Sequence, residues 1–153
     1  MTSPRRLLAI STLALSPLLL AGCEQPSPGV TVWSGTNSVH EEAVCWQPEG
    51  QALTAQECAE NVLDAAAKGA GIPRLEVRPG NTVGISVDRS VAAAGWSVQI
   101  AGQTLAAGLN ETYHRFTFPE NVATGGNGYT LQVIAAAQGN GVRGHWFFQL
   151  VPN

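Results

Sequence analysis

Apolar and polar residues alternate along most of this chain with a period of two, the spacing of a strand that buries one face. Leu75 and Val77 alternate with Arg74, Glu76 and Arg78; after a turn at Pro79-Gly80-Asn81, Val83, Ile85 and Val87 alternate with Gly84 and Ser86. Trp96, Val98 and Ile100 share the next face, which ends at Ala101-Gly102-Gln103, and Thr104 to Leu109 reads as an edge segment. Thr112 to Phe118 follows, with Phe116 and Phe118 inward and Arg115 and Thr117 outward. A glycine-rich loop, Gly125-Gly126-Asn127-Gly128, leads to Tyr129, Leu131, Val133 and Ala135, and Gly139-Asn140-Gly141 leads to Val142, Gly144, Trp146, Phe148 and Leu150. Upstream, Val30 to Trp33 and Val39 to Trp46 form a predicted hairpin around Gly35-Thr36-Asn37, and Pro48-Glu49-Gly50 breaks the chain.

The period changes to that of a helix in one substantial place. Thr54-Ala55-Gln56-Glu57 has the form of a capping box, and Ala55, Cys58, Ala59, Val62 and Ala66 recur behind it at helical spacing before Gly69 stops the run. A single helical turn is expected near Ser90 to Ala94. Cys58, on the buried stripe of the main helix, would staple it to the strand ending at Cys45.

Short alternating segments with turns every 8–12 residues predict a β-sandwich. Leu75-Glu76-Val77-Arg78-Pro79-Gly80, Trp96 and Gly128-Tyr129-Thr130-Leu131-Gln132-Val133 resemble the first strand, core tryptophan and penultimate strand of an immunoglobulin-like fold. The absence of inter-sheet cysteines excludes an antibody-type domain, and a fibronectin-like variant stays open. The expected fold is mainly β: an immunoglobulin-like antiparallel β-sandwich over residues 72–153, with an N-terminal hairpin and one α-helix (residues 30–71) packed on it.

The first 22 residues have a different pattern. Arg5 and Arg6 precede an apolar run from Leu7 to Leu20, whose 14 residues are interrupted by Pro17. That is short of the roughly 20 needed to span a bilayer. Leu20-Ala21-Gly22-Cys23 resembles a bacterial lipobox, which implies a signal peptide over residues 1–22, cleavage before Cys23 and a diacylglycerol on its sulfur. The alternative is an uncleaved anchor or an ordinary secretory signal. Arg5-Arg6 also resembles a twin-arginine signal, so the export route stays open. Residues 23–29, with Pro26-Ser27-Pro28-Gly29, form a tether that extends about 20 Å at roughly 3.1 Å per residue. The remaining 131 residues carry 6 basic and 11 acidic side chains, a net charge of −5. Nothing in that balance suggests nucleic acid, and an anionic membrane surface would repel the domain, so the lipid is its expected hold on the membrane.

With Cys23 assigned to the lipid, Cys45 and Cys58 remain as a pair in an exported, oxidising setting, where a disulfide is the default. A thiolate metal site with His40 is the rival, but it lacks a fourth ligand. Otherwise the sequence offers little chemistry. It has no nucleophile elbow, paired-histidine zinc motif, phosphate loop or dinucleotide fingerprint. His40-Glu41-Glu42 is followed by Val44 where a second histidine ligand would stand, and Glu41 and Glu42 point to opposite faces of a strand. His40, His114 and His145 lie on three predicted strands and would make a site only by converging. No catalytic residue, metal or cofactor is assigned. The informative residues are aromatics out of phase with the core: Tyr113 and Phe147, together with Trp46 beside the Pro48 turn. They form an exposed interaction surface unless the hairpin and helix of residues 30–68 cover them.

Val32-Trp33-Ser34-Gly35-Thr36, Ala43-Val44-Cys45-Trp46, the stretch from Pro79 to Val87, Ala94-Gly95-Trp96 and the stretch from Arg143 to Leu150 together resemble an uncharacterised actinobacterial lipoprotein family that carries a domain of unknown function. The seven arginines against one lysine agree with a GC-rich source. The resemblance implies no activity. The expected function is therefore a non-enzymatic binding or accessory module, lipid-anchored on the extracytoplasmic face of the cell membrane, whose partner is another envelope protein. The alternative is a glycan- or small-ligand-binding module that stacks a sugar ring on Trp or Tyr, or a metal-binding one.

Overall fold

The computed structural model describes residues 26–122 and 126–153. The expected signal segment, Cys23 and Gly125 of the glycine-rich loop lie outside the described residues. In chain order the elements are β1 (Gly29–Ser34), β2 (Asn37–Glu42), β3 (Cys45–Trp46), α1 (Glu60–Ala67), β4 (Arg74–Val77), β5 (Thr82–Val87), α2 (Arg89–Ala94), β6 (Trp96–Ile100), β7 (Gln103–Leu109), β8 (Tyr113–Thr117), β9 (Tyr129–Ala136) and β10 (Val142–Pro152).

These strands make two packed sheets, one ordered β2-β1-β5-β8 and the other β3-β10-β9-β6-β7, with β4 running parallel to the end of β10. The order β10-β9-β6-β7 facing β5-β8 is the immunoglobulin-like arrangement in which strands G, F, C and C′ oppose B and E. The inward positions follow from alternation. Val30, Val32, Val83 and Ile85 from the first sheet meet Trp96, Val98, Leu131, Val133, Trp146, Phe148 and Leu150 from the second, and all are fully or almost fully buried. Each such side chain contributes roughly 1.5–3 kcal/mol through the apolar surface it removes from water.

Four expectations change. The hairpin is not packed on a finished sandwich: β1 lies inside the first sheet, paired to β2 on one side and β5 on the other. The predicted second strand splits at Ala43-Val44, and its end crosses to the other sheet as β3, with Cys45 opposite His145 and Trp46 opposite Gly144. Alternation is local and does not record which sheet a segment joins.

The helix is also shorter than its apolar stripe. The capping-box bonds do form, with the Glu57 carboxylate accepting from the Thr54 amide at 2.8 Å and from its hydroxyl at 3.0 Å, but they close an isolated turn. Ala59 is extended (φ −66°, ψ 137°), so α1 begins only at Glu60. Cys58 sits at that break and is joined to Cys45, with their Cα atoms 5.6 Å apart.

The fourth change is a bulge at Arg143. Val142 pairs with Ala136 and Gly144 with Ala135, so Arg143 is the extra residue and Val142 leaves the inward phase of Gly144, Trp146 and Phe148.

Candidate binding surfaces

The outer faces of the two sheets differ. On the β10 sheet, Cys45, His145, Phe147 and Gln149 point outward, since their neighbours Trp146, Phe148 and Leu150 fill the core. The disulfide brings Cys58 over this face at one side. At the other, the Thr130 hydroxyl donates to the Ala67 carbonyl at 2.9 Å. The chain from Cys58 to Ala67 is thereby fastened across the sheet. Phe147 is 3% exposed, and its ring is near-parallel to that of His145 at 6.1 Å. Phe147 therefore drops out of the expected interaction surface. Its place in the alternation was read correctly, and the segment tied down by Cys58 and Ala67 supplies the cover.

The same cover desolvates His145, which holds its imidazole below the ordinary value of 6.5 and favours the neutral ring, with Nδ1 2.9 Å from the Gln132 amide nitrogen. The unfolded chain then binds a proton at higher pH than the folded one. The stabilisation is present above about pH 6.5 and is lost as pH falls through the folded value. Denaturation midpoints should fall on acidification below neutrality, and His145→Gln should flatten that slope. An unchanged slope in the variant would show that other groups set it.

Trp46 stands at the edge of the β10 sheet, half-buried and braced by two neighbours. The Arg143 guanidinium lies 3.9 Å from its centroid, and Trp146 packs against it at 5.7 Å. Gly144, opposite Trp46 in the ladder, is squeezed between the indoles: a Cβ there would come within 2.6 Å of Trp46 Cε3 and 2.9 Å of Trp146 Cη2. Arg143 is buried because its fork has carbonyls to meet. Nε donates to Gln47 at 3.2 Å, one terminal nitrogen to Pro48 at 3.2 Å and the other to Ser90 at 3.4 Å. Burial lowers the guanidinium from its usual value, but it remains charged.

Residues 26–29 enter beside this cluster. Trp146 Nε1 donates to the Pro28 carbonyl at 3.0 Å, and the Gly29 amide donates to the Asp88 carboxylate at 2.8 Å. Next to the entry point is an open groove of about 490 Å³ lined by Pro26, Ala43, Val44, Trp46 and Pro48, with Ser27 and Glu57 at its rim.

Tyr113 belongs to the other sheet. It is 39% exposed on β8, and its ring is inclined only 11° to that of Trp33, 6.4 Å away. The three expected surface residues thus separate: Phe147 is under cover, Trp46 is braced at an edge, and Tyr113 shares an open face with Trp33. Trp33 was missed although its phase, opposite to Val30 and Val32, marks it as outward. Arg143 was missed because a bulge leaves no trace in the alternation.

The histidines stay apart. His40 Nδ1 is 2.9 Å from the Thr31 hydroxyl on the outer face of the β1 sheet, His114 meets Trp96 edge-on inside the sandwich, and His145 lies beneath the cover of the opposite sheet. Among the described residues no three His, Cys, Asp or Glu side chains group to hold a metal. No protein-family model, curated protein or solved structure matches this chain.

Proposed function

We infer that this protein is a non-enzymatic binding module, anchored by a lipid on Cys23 to the extracytoplasmic face of the cell membrane, and that its partner is another envelope protein. The observation that carries this reading is the groove beside the tether. Val44, 38% exposed, lines it with Trp46, Pro26 and Pro48, together with Ser27 and Glu57. A concave surface that sets an aromatic and exposed apolar side chains beside polar ones has the composition of a protein interface. Trp46 is already fixed by Arg143 and Trp146, so docking against it costs little side-chain ordering. A domain held by a short tether would meet its partner close to the membrane.

The test is photo-crosslinking on intact cells from an exposed position in the groove, residue 48, followed by mass spectrometry. One reproducible envelope protein is expected, lost in Val44→Asp with the protein still membrane-retained. Cys23→Ala should move the protein out of the membrane fraction. Unchanged membrane retention in Cys23→Ala would sink the lipid anchor, and capture of abundant bystanders alone would sink the protein partner.

A further inference from the structure

The face carrying Trp33 and Tyr113 has a composition unlike that of the groove. Among the described residues no helix or loop is hydrogen-bonded across its centre, and pairing registers place its side chains in two rows. Ser38, Trp33, Gly84 and Arg115 form one row, and His40, Thr31, Ser86 and Tyr113 the other. Gly84 decides the shape. A Cβ there would overlap the Trp33 indole, so the ring occupies the space above the strand that any other residue would fill. The tyrosine ring lies nearly parallel to it, 6.4 Å away, so the two aromatics stand together on this face. No Leu, Ile, Val or Met stands in either row. The aromatic surface is instead bordered by the hydroxyls of Thr31, Ser38 and Ser86 and by the Arg115 guanidinium.

We propose that this face is a glycan-binding site, in which Trp33 and Tyr113 stack against the C–H faces of pyranose rings. A pyranose is amphipathic in the way this surface is. Its ring faces are apolar and suit an aromatic face, while its hydroxyls point outward around the rim, where Thr31, Ser38, Ser86 and Arg115 offer donors and acceptors. Trp33 is held in place before any ligand arrives, so little rotamer freedom is lost on binding. The site lies on a different sheet from the groove beside the tether and goes beyond the anchored-module reading.

The experiment is affinity electrophoresis of the full-length protein in a polyoxyethylene detergent without a sugar headgroup. Separate gels contain a soluble β-1,4-glucan, an α-mannan, a soluble chitin derivative or, as a non-sugar control, polyethylene glycol. Retardation by at least one polysaccharide and not by polyethylene glycol is expected. Trp33→Ala and Tyr113→Ala should each weaken it at least tenfold, while Tyr113→Phe retains most of it and Val44→Asp all of it. Tyr113 is exposed, so its alanine variant tests the site even if Trp33→Ala unfolds. Retardation by none of the polysaccharides would overturn the proposal, as would retardation unchanged in a folded Tyr113→Ala. So would capture of an envelope protein through this face in place of sugar. These measurements are made in solution, so their outcome is independent of whether Cys23 carries a lipid.

Discussion

Trp96→Ala should destabilise the domain by about 3–5 kcal/mol, the range for removing a large aromatic from a packed interior. Trp96 is 1% exposed on β6, between the two sheets, and its indole N–H donates to the Glu111 carbonyl at 2.7 Å. Its ring also takes His114 edge-on at 6.3 Å. Truncation leaves a cavity in the middle of the sandwich and strands the Glu111 carbonyl next to it. For a domain of this size the melting temperature should fall by more than about 10 °C. Trp96→Phe, which keeps much of the volume and loses the hydrogen bond, should cost less. Urea denaturation of the two variants separates packing from hydrogen bonding. A loss below 1 kcal/mol for the alanine variant would contradict the core described here.

Replacing Cys45 and Cys58 together by Ser has the second-largest expected effect. The disulfide closes a separation of 13 residues, and its removal should cost about 3 kcal/mol on the chain-entropy model. The loss has a definite place. α1 is eight residues long, buries only Ala66 fully and leaves Val62 42% exposed, so neither its length nor its packing holds it strongly. Without the disulfide the helix itself is held by the Thr130–Ala67 hydrogen bond, and the stretch before it by the bonds of Gln47 to Glu57, Leu53 to Val142 and Gln138 to Gly50. Limited proteolysis should then cut between residues 50 and 70 long before the strands, and Phe147 should become accessible to a hydrophobic dye. Cleavage no faster than in the wild type would show that packing alone holds the cover.

Where one face of a strand meets the core, the sequence could be read directly. Val83, Ile85 and Val87, the run from Tyr129 to Ala135, and Trp96 all lie where alternation puts them, because burial on a pleated strand repeats every two residues. The pairing of Cys45 with Cys58 was legible once Cys23 was set aside for the lipid. What could not be read depends on neighbours remote in sequence. The switch of Cys45 and Trp46 to the second sheet needs β10 as its acceptor, and the break at Ala59 coincides with the point where Cys58 is tied to β3. The standing of each aromatic was illegible for the same reason. Phe147 and Trp33 have the same outward phase, but one faces a tethered helix and the other a glycine on the adjacent strand. That Trp46 is braced by Arg143, which only a bulge brings round, and by Trp146 could not be read either.

The position of β1 also has a mechanical consequence. It enters the fold through a clamp, with Trp146 on the Pro28 carbonyl and Asp88 on the Gly29 amide, and then lies between two antiparallel neighbours, in register with β2 from Gly29 to Ser34 and with β5 from Val30 to Ser34. A pull on the chain at Pro26 therefore acts along the strand axis, across ladder bonds that run perpendicular to it. Those bonds share the force in shear instead of parting one after another like a zipper. A tug at this end would have to slide a central strand past both partners, so the domain resists drag at the one point where a surface tether would apply it.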